Sequence, residues 1–235
     1  MNEDVASFAV MNVYFISGVG ADRRIFYNIK LPPSYAARHL DWIPHKPEET
    51  LVSYAQRLAA GIDKTQPFVL VGLSFGGMLA NEIDKLYPAK LVILISSIPA
   101  SPKLPPYFKI AGKIGLQKIV PIRLLKSMSL LKRLFTAETS NEKKFLREAI
   151  KQADPDFIRW SLDAIVNWRQ EVAPSNYIHI HGSEDLILPV RYTGCSHLIK
   201  KGGHLMILTR SAEISNIMQN EFTRLEKGSG RILHS

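Results

Sequence analysis

The stretch "FVLVGLSFGGMLA", residues 68 to 80, passes from an apolar β-like run through Gly72-Leu73-Ser74-Phe75-Gly76 into a helix-like run. A serine held at such a strand-to-helix junction projects its Oγ clear of a sheet, and the N–H of the next residue faces any negative charge that develops beside it. A turn this tight brings the residues two places before and after the serine together, so glycines at 72 and 76 remove side chains that would collide, and Gly77 extends the clearance into the helix. A glycine-rich turn carrying an incidental serine is the plainer alternative. The setting between "FVLV" and "MLANEI" favours the sharper one.

Outward from this junction the chain alternates. Strand candidates are "VYFISG" (13–18), "RHLDWIP" (38–44), "PFVLVG" (67–72), "LVILIS" (91–96), "NYIHIHG" (176–182) and "GCSHLIKKG" (194–202). Helical periodicity marks 50–62, 74–86 and 205–225. Nearly continuous apolar strands separated by helices predict an α/β fold, a doubly wound, mostly parallel sheet covered on both faces. The alternation stops between Pro99 and Glu171, where prolines at 99, 102, 105, 106 and 121 precede helical periodicity. This predicts a core built from 1–99 and 171–227, a helical insertion over 100–170, and a flexible tail or cloning remnant over 228–235.

Composition narrows the setting. A chain of 235 residues with 46% hydrophobic residues suits one large domain. Its longest apolar run, Leu91 to Ile98, is far below the roughly 20 residues of a membrane-spanning helix. The N-terminal residues lack an export pattern, and a lone Cys195 asks for no oxidising compartment, so a cytoplasmic location is expected. The net charge of +9 resides in residues 101–151, which hold twelve Lys or Arg against three acids, while the remainder is balanced.

A serine hydroxyl needs a base, and the base needs an acid to fix its tautomer. Of seven histidines, His179 and His181 share a strand face and suit packing; His197 lies within a strand, His39 at the start of one and His234 in the tail. His204, behind Gly202 and Gly203 and after the last strand, sits where open α/β sheets assemble sites. His45 meets that test less well. For the acid, Glu184 and Asp185 follow the fifth strand, and "SSIPASPKLPP" (96–106) after the fourth offers none.

Together, "SGVG" (17–20), "GLSFGG" (72–77), "HGSEDLILP" (181–189) and "GGH" (202–204) resemble the oxyanion loop, nucleophile elbow, acid turn and histidine loop of the α/β-hydrolase superfamily, in its chain order. The resemblance spans nearly the whole chain. It implies Ser74 as nucleophile, His204 as base and Asp185 as the acid that closes an H-G-x-x-D pattern, with the amides of Val19 and Phe75 as oxyanion donors. It also implies a helical cap at 100–170. Two departures stand out: Ser17 replaces the usual histidine of the oxyanion loop, and the family's first two strands are shortened or absent.

The expected activity is that of a serine hydrolase cleaving a carboxylic ester or thioester through an acyl-enzyme, with no metal or organic cofactor. A small-ligand receptor or a lyase on the same scaffold are the rivals. In residues 116–135, Leu124, Leu125, Met128, Leu131 and Phe135 form a candidate apolar stripe, with Lys118, Arg123, Lys126, Lys132 and Arg133 elsewhere. That basic surface is either simply solvated, or attractive to an anionic thioester, a carrier or, weakly, an anionic membrane. Nucleic acid is not expected, because no binding motif accompanies the charges. Arg23 and Arg24 are candidates for a substrate carboxylate, with surface or cap docking as their alternative.

Overall fold

The computed structural model describes residues 10–115, 121 and 139–229. Six strands form one sheet: β1 (Met11–Ile16), β2 (Tyr35–His39), β3 (Phe68–Leu73), β4 (Leu91–Ile95), β5 (Tyr177–Gly182) and β6 (His197–Ile199). Their order is β2-β1-β3-β4-β5-β6, and every pairing is parallel. Among the described residues no strand precedes β1.

Position in the sheet follows from side-chain character. The central strands β3, "FVLVGL", and β4, "LVILI", are buried along their whole length, so a continuous apolar run is what both faces require. At the edge, β2 reads "YAARH" and buries little beyond Tyr35. This explains a shift from the sequence expectation: the run over 38–44 is not a strand beyond His39, and its apolar residues serve the loop instead. Leu40 enters the core, and the Trp42 ring packs against Phe75 and Phe157. The last strand is likewise shorter than the expected 194–202.

Helices cover both faces. On one side α1 (Leu51–Leu58) and α2 (Phe75–Leu86) pack over Tyr14, Ile16, Leu70, Val92 and Leu94. The Thr50 side chain caps α1 by accepting from the Ser53 amide at 3.2 Å. On the other side Ile214, Met218 and Phe222 cover Val13, Phe15, Val69, Val71, Ile93 and Ile95.

Between β4 and β5 the described elements are helical: a short turn at Ser101–Lys103, α3 (Pro106–Lys113), α4 (Ser140–Gln152) and α5 (Pro155–Asn167). The ends of this segment meet, because the Ser101 amide donates to the Gln170 carbonyl at 2.6 Å. The stripe and basic residues noted within 116–135 lie outside the described residues. After β5 come α6 (Val190–Thr193), α7 (Met206–Thr209) and α8 (Ser211–Ser229). The single helix expected over 205–225 is therefore two, divided at Arg210, and α8 continues through Ser229 where a tail from 228 was expected. Among the described residues no helix is long and apolar enough to cross a membrane.

Candidate active site

Ser74, Asp185 and His204 follow the carboxyl ends of β3, β5 and β6, so a parallel sheet delivers them to one edge. The His204 Nδ1 lies 2.7 Å from Asp185 Oδ2, and its Nε2 lies 3.0 Å from Ser74 Oγ. A carboxylate only accepts, so Nδ1 carries the hydrogen and Nε2 is left to accept from the serine hydroxyl. Asp185 and His204 are buried, 3% and 2% exposed, while Ser74 remains partly open. Burial disfavours charge on Asp185, but the His204 imidazole and the hydrogen bonds from His181 and His204 outweigh it and hold the carboxyl well below the usual range. The acid is thus ionised throughout the neutral region.

Ser74 is the N-cap of α2, with φ 52° and ψ −117°, a backbone conformation few non-glycine residues adopt. Its place is fixed from both sides. The Ser74 amide donates to Ile95 O at 2.9 Å, and Ser97 Oγ donates to Ser74 O at 2.6 Å. A Cβ at Gly72 would fall on Gly76 O and Gly77 Cα, and one at Gly76 would fall on Ile16 O and Ser17 O. The first glycine therefore makes the turn possible, and the second lets α2 approach β1.

The alpha/beta hydrolase family model matches residues 13–217. The chain belongs to the alpha/beta hydrolase family. Among solved structures, MenH from S. aureus aligns with TM-score 0.70 at 16% identity, over 93% of this chain and 95% of its own. A thermophilic esterase from Thermogutta terrifontis gives 0.68 at 17% identity over 92% and 90%. A lipase-esterase related protein from Clostridium acetobutylicum gives 0.67 at 18% over 90% and 94%. At these identities the likeness concerns fold. No curated protein matches the sequence significantly.

In this alpha/beta hydrolase the acid and histidine loops arrive as one unit. A Cβ at Gly182 would fall on Gly202 O, and the Glu184 amide donates to Gly202 O at 2.9 Å. That bond leaves the Glu184 side chain exposed and turns Asp185 inward. The left-handed residue of the histidine loop is Lys201, at φ 56°, whereas Gly202 serves close approach to Gly182 and Met206. His45 is elsewhere, its ring stacked on Trp160 at 5.4 Å. His197 Nε2 lies 3.6 Å from Glu221, and His39 packs on Phe15 and Phe26.

The loop after β1 runs beside the elbow, since a Cβ at Gly18 would lie 3.3 Å from Ser74 Cβ. Ser17 Oγ donates to Ala21 O at 2.9 Å, and Trp42 Nε1 donates to the same oxygen at 2.7 Å. Two donors on one carbonyl fix the loop that carries Val19. Phe75, 0% exposed, opens α2 with its amide at the positive end of the helix.

Arg23 and Arg24 do not join this site. The Arg23 guanidinium pairs with Asp41 on an exposed surface. Arg24 is bonded to Asp22 at 2.7 Å and reaches Glu148 and Gln152 of α4 at 3.4 and 2.8 Å. Their carboxylate partners are therefore within the protein, and Arg24 docks the helical segment, the role named above as the alternative to substrate binding.

A cavity of about 460 Å³ opens on Ser74 and His204. Its walls are Val19, Ile25, Leu73 and Met78 from the core, Phe145, Leu146 and Ala149 from α4, Ile158, Leu162 and Ile165 from α5, and Leu186 to Leu188 from the acid turn. Among the described lining residues the titratable side chains are His204 and Tyr107, whose hydroxyl burial pushes up to about 12. A larger groove of about 940 Å³ between α1 and α5 contains none of the three relay residues.

Proposed function

We propose that the protein is a serine hydrolase that cleaves a carboxylic ester or thioester with a small, uncharged, largely apolar acyl group. The observation that carries this reading is the hydrogen-bonded chain from Ser74 through His204 to Asp185, opening into an apolar cavity of about 460 Å³. Cavities of this size suit small organic ligands.

The steps follow from the donors and acceptors. As Ser74 Oγ bonds to the substrate carbonyl carbon, its proton passes to His204 Nε2, and Asp185 stabilises the imidazolium so formed. The carbonyl oxygen gains the displaced electron pair, and the Val19 and Phe75 amides donate to it; one such donor is typically worth about 3 kcal/mol in the transition state. Collapse expels the alcohol or thiol, which takes the proton from His204. A water then repeats the sequence on the acyl-serine ester, releasing the acid and restoring Ser74. Among the described residues the cavity wall carries no Lys, Arg, Asp or Glu, which supports an uncharged acyl group. The segment 101–151 that holds the basic excess also supplies Tyr107, Phe145, Leu146 and Ala149 to this wall, so an anionic leaving group is compatible with the site. An exposed, lone Cys195 suits work in the cytoplasm.

The deciding experiment combines a fluorophosphonate probe with a series of p-nitrophenyl esters and acyl-CoA thioesters at low and high salt. Labelling of the wild type and its loss in Ser74→Ala is the expected result; folded wild type that never labels would point to a receptor instead. Thioester turnover that falls with salt would assign the basic segment to anion recruitment.

A further inference from the structure

His179 and His181 were expected to be packing residues of β5, and both are buried, 2% and 0% exposed. Two imidazoles side by side in a core are costly unless their nitrogens are satisfied, since apolar residues would fill the same space with no polar groups to desolvate. The His181 ring contacts lead on one side to His179 and on the other toward Asp185. His181 Nε2 lies 2.6 Å from Leu188 O and 3.3 Å from Asp185 Oδ2. Both neighbours only accept, so Nε2 carries a hydrogen and shares it between them. The atom facing Nδ1 at 2.9 Å is His179 Nε2, and the His179 ring is also hydrogen-bonded to the Ser97 backbone.

Leu188 is the hinge of the arrangement. Its carbonyl accepts from His181, while its amide, with that of Ile187, donates to Asp185 Oδ1 at 2.8 and 2.9 Å. His181 therefore braces the peptide that holds one carboxylate oxygen and also contacts the other, the one that faces His204. We propose that His181 is a positioning residue of the reaction, fixing the Asp185 carboxylate toward His204, with His179 packed behind it. The proposal rests on the acyl-enzyme reading above and adds to it a second imidazole on the far side of the acid. Burial, and then the neighbouring His181, push the His179 pKa down to about 3, which agrees with a neutral His179.

The test uses His181→Phe, which removes both nitrogens, and His181→Gln, which keeps an N–H near the Nε2 position. With p-nitrophenyl butyrate, kcat of folded H181F is expected to fall roughly tenfold to hundredfold with KM nearly unchanged, as for other residues that orient a catalytic ligand. H181Q should recover most of the loss. The acid limb of kcat/KM should move in H181F and return in H181Q; the ionisable groups around position 181 that bear on it are His179, Asp185, His204 and Tyr107. Wild-type kcat in H181F, or equal damage in both variants with an unmoved acid limb, overturns the proposal. Nitrogen-15 NMR of histidine-labelled wild type decides the matter without a variant. A His181 protonated on Nε2 at neutral pH upholds the contact, and one protonated on Nδ1 alone overturns it, whether or not H181F folds. Because this readout needs no turnover, failure of the wild type to label or hydrolyse would sink the hydrolase reading separately.

Discussion

The carboxyl edge of the sheet and the helical segment between β4 and β5 meet at one cavity but are built by opposite rules. At the sheet edge, position is set by backbone contacts too close for any side chain, at Gly72, Gly76 and Gly182, and by a serine held at positive φ. In the helical segment the cavity wall is made of interchangeable apolar side chains on α4 and α5. Rigid backbone contacts fix reacting atoms to within a fraction of an ångström, whereas a wall of Leu, Ile and Phe fixes only volume and shape. The first region should therefore govern rate for every substrate, and the second should govern which acyl groups enter.

The comparison breaks most directly at Ser74. Ser74→Ala should lower ester turnover about a millionfold and abolish fluorophosphonate labelling, measured against a mock-purified control. Residual turnover near wild type would mean that the sheet edge does not carry the chemistry. Gly182→Ala comes next: its methyl would fall on Gly202 O and push the acid and histidine loops apart. Its kcat should drop by about a thousandfold on short and long acyl esters alike, which a two-substrate assay reads directly. Leu162→Trp, in the α5 wall, should instead shorten the longest acyl chain accepted while kcat on an acetate ester stays within about threefold, at a stability cost of about 1–3 kcal/mol. A uniform loss on all chain lengths would erase the distinction between the two regions.

The smallest effect concerns pH. The His179 pKa is lowered in the fold to about 3 from its ordinary 6.5, so the unfolded chain binds the proton first as pH falls. The stability from this group is complete above pH 6.5 and is lost toward pH 3, at a limiting slope of about 1.4 kcal/mol per pH unit. Asp185, also depressed, adds its loss at more acid pH. Urea melts between pH 4 and 7 should show a shallower slope in His179→Phe than in wild type.

Much of this edge is legible in the residues themselves. "GLSFGG" and "GGH" announce close backbone approach, and strand ends locate Ser74, Asp185 and His204, because a parallel sheet sends all its carboxyl ends one way. What escaped depends on contacts distant in sequence. Arg24 resembled an open cation because Glu148 and Gln152 are more than a hundred residues away. The two-residue spacing of His179 and His181 predicts a shared face, yet the turn that brings Asp185 and Leu188 back onto that face is not a periodic feature. The edge strand β2 was displaced because an edge needs little apolar surface, so Leu40 and Trp42 in the following loop gave the stronger signal.

The Ser101–Gln170 hydrogen bond has a practical meaning. The polypeptide leaves β4 and re-enters at the adjacent β5 through a gap one hydrogen bond wide. Each doubling of the chain between two such fixed ends costs only about 0.6 kcal/mol of closure entropy. Foreign helical inserts of very different size should thus be tolerated between these two points, which on the proposed reading would make acyl selectivity an exchangeable cassette.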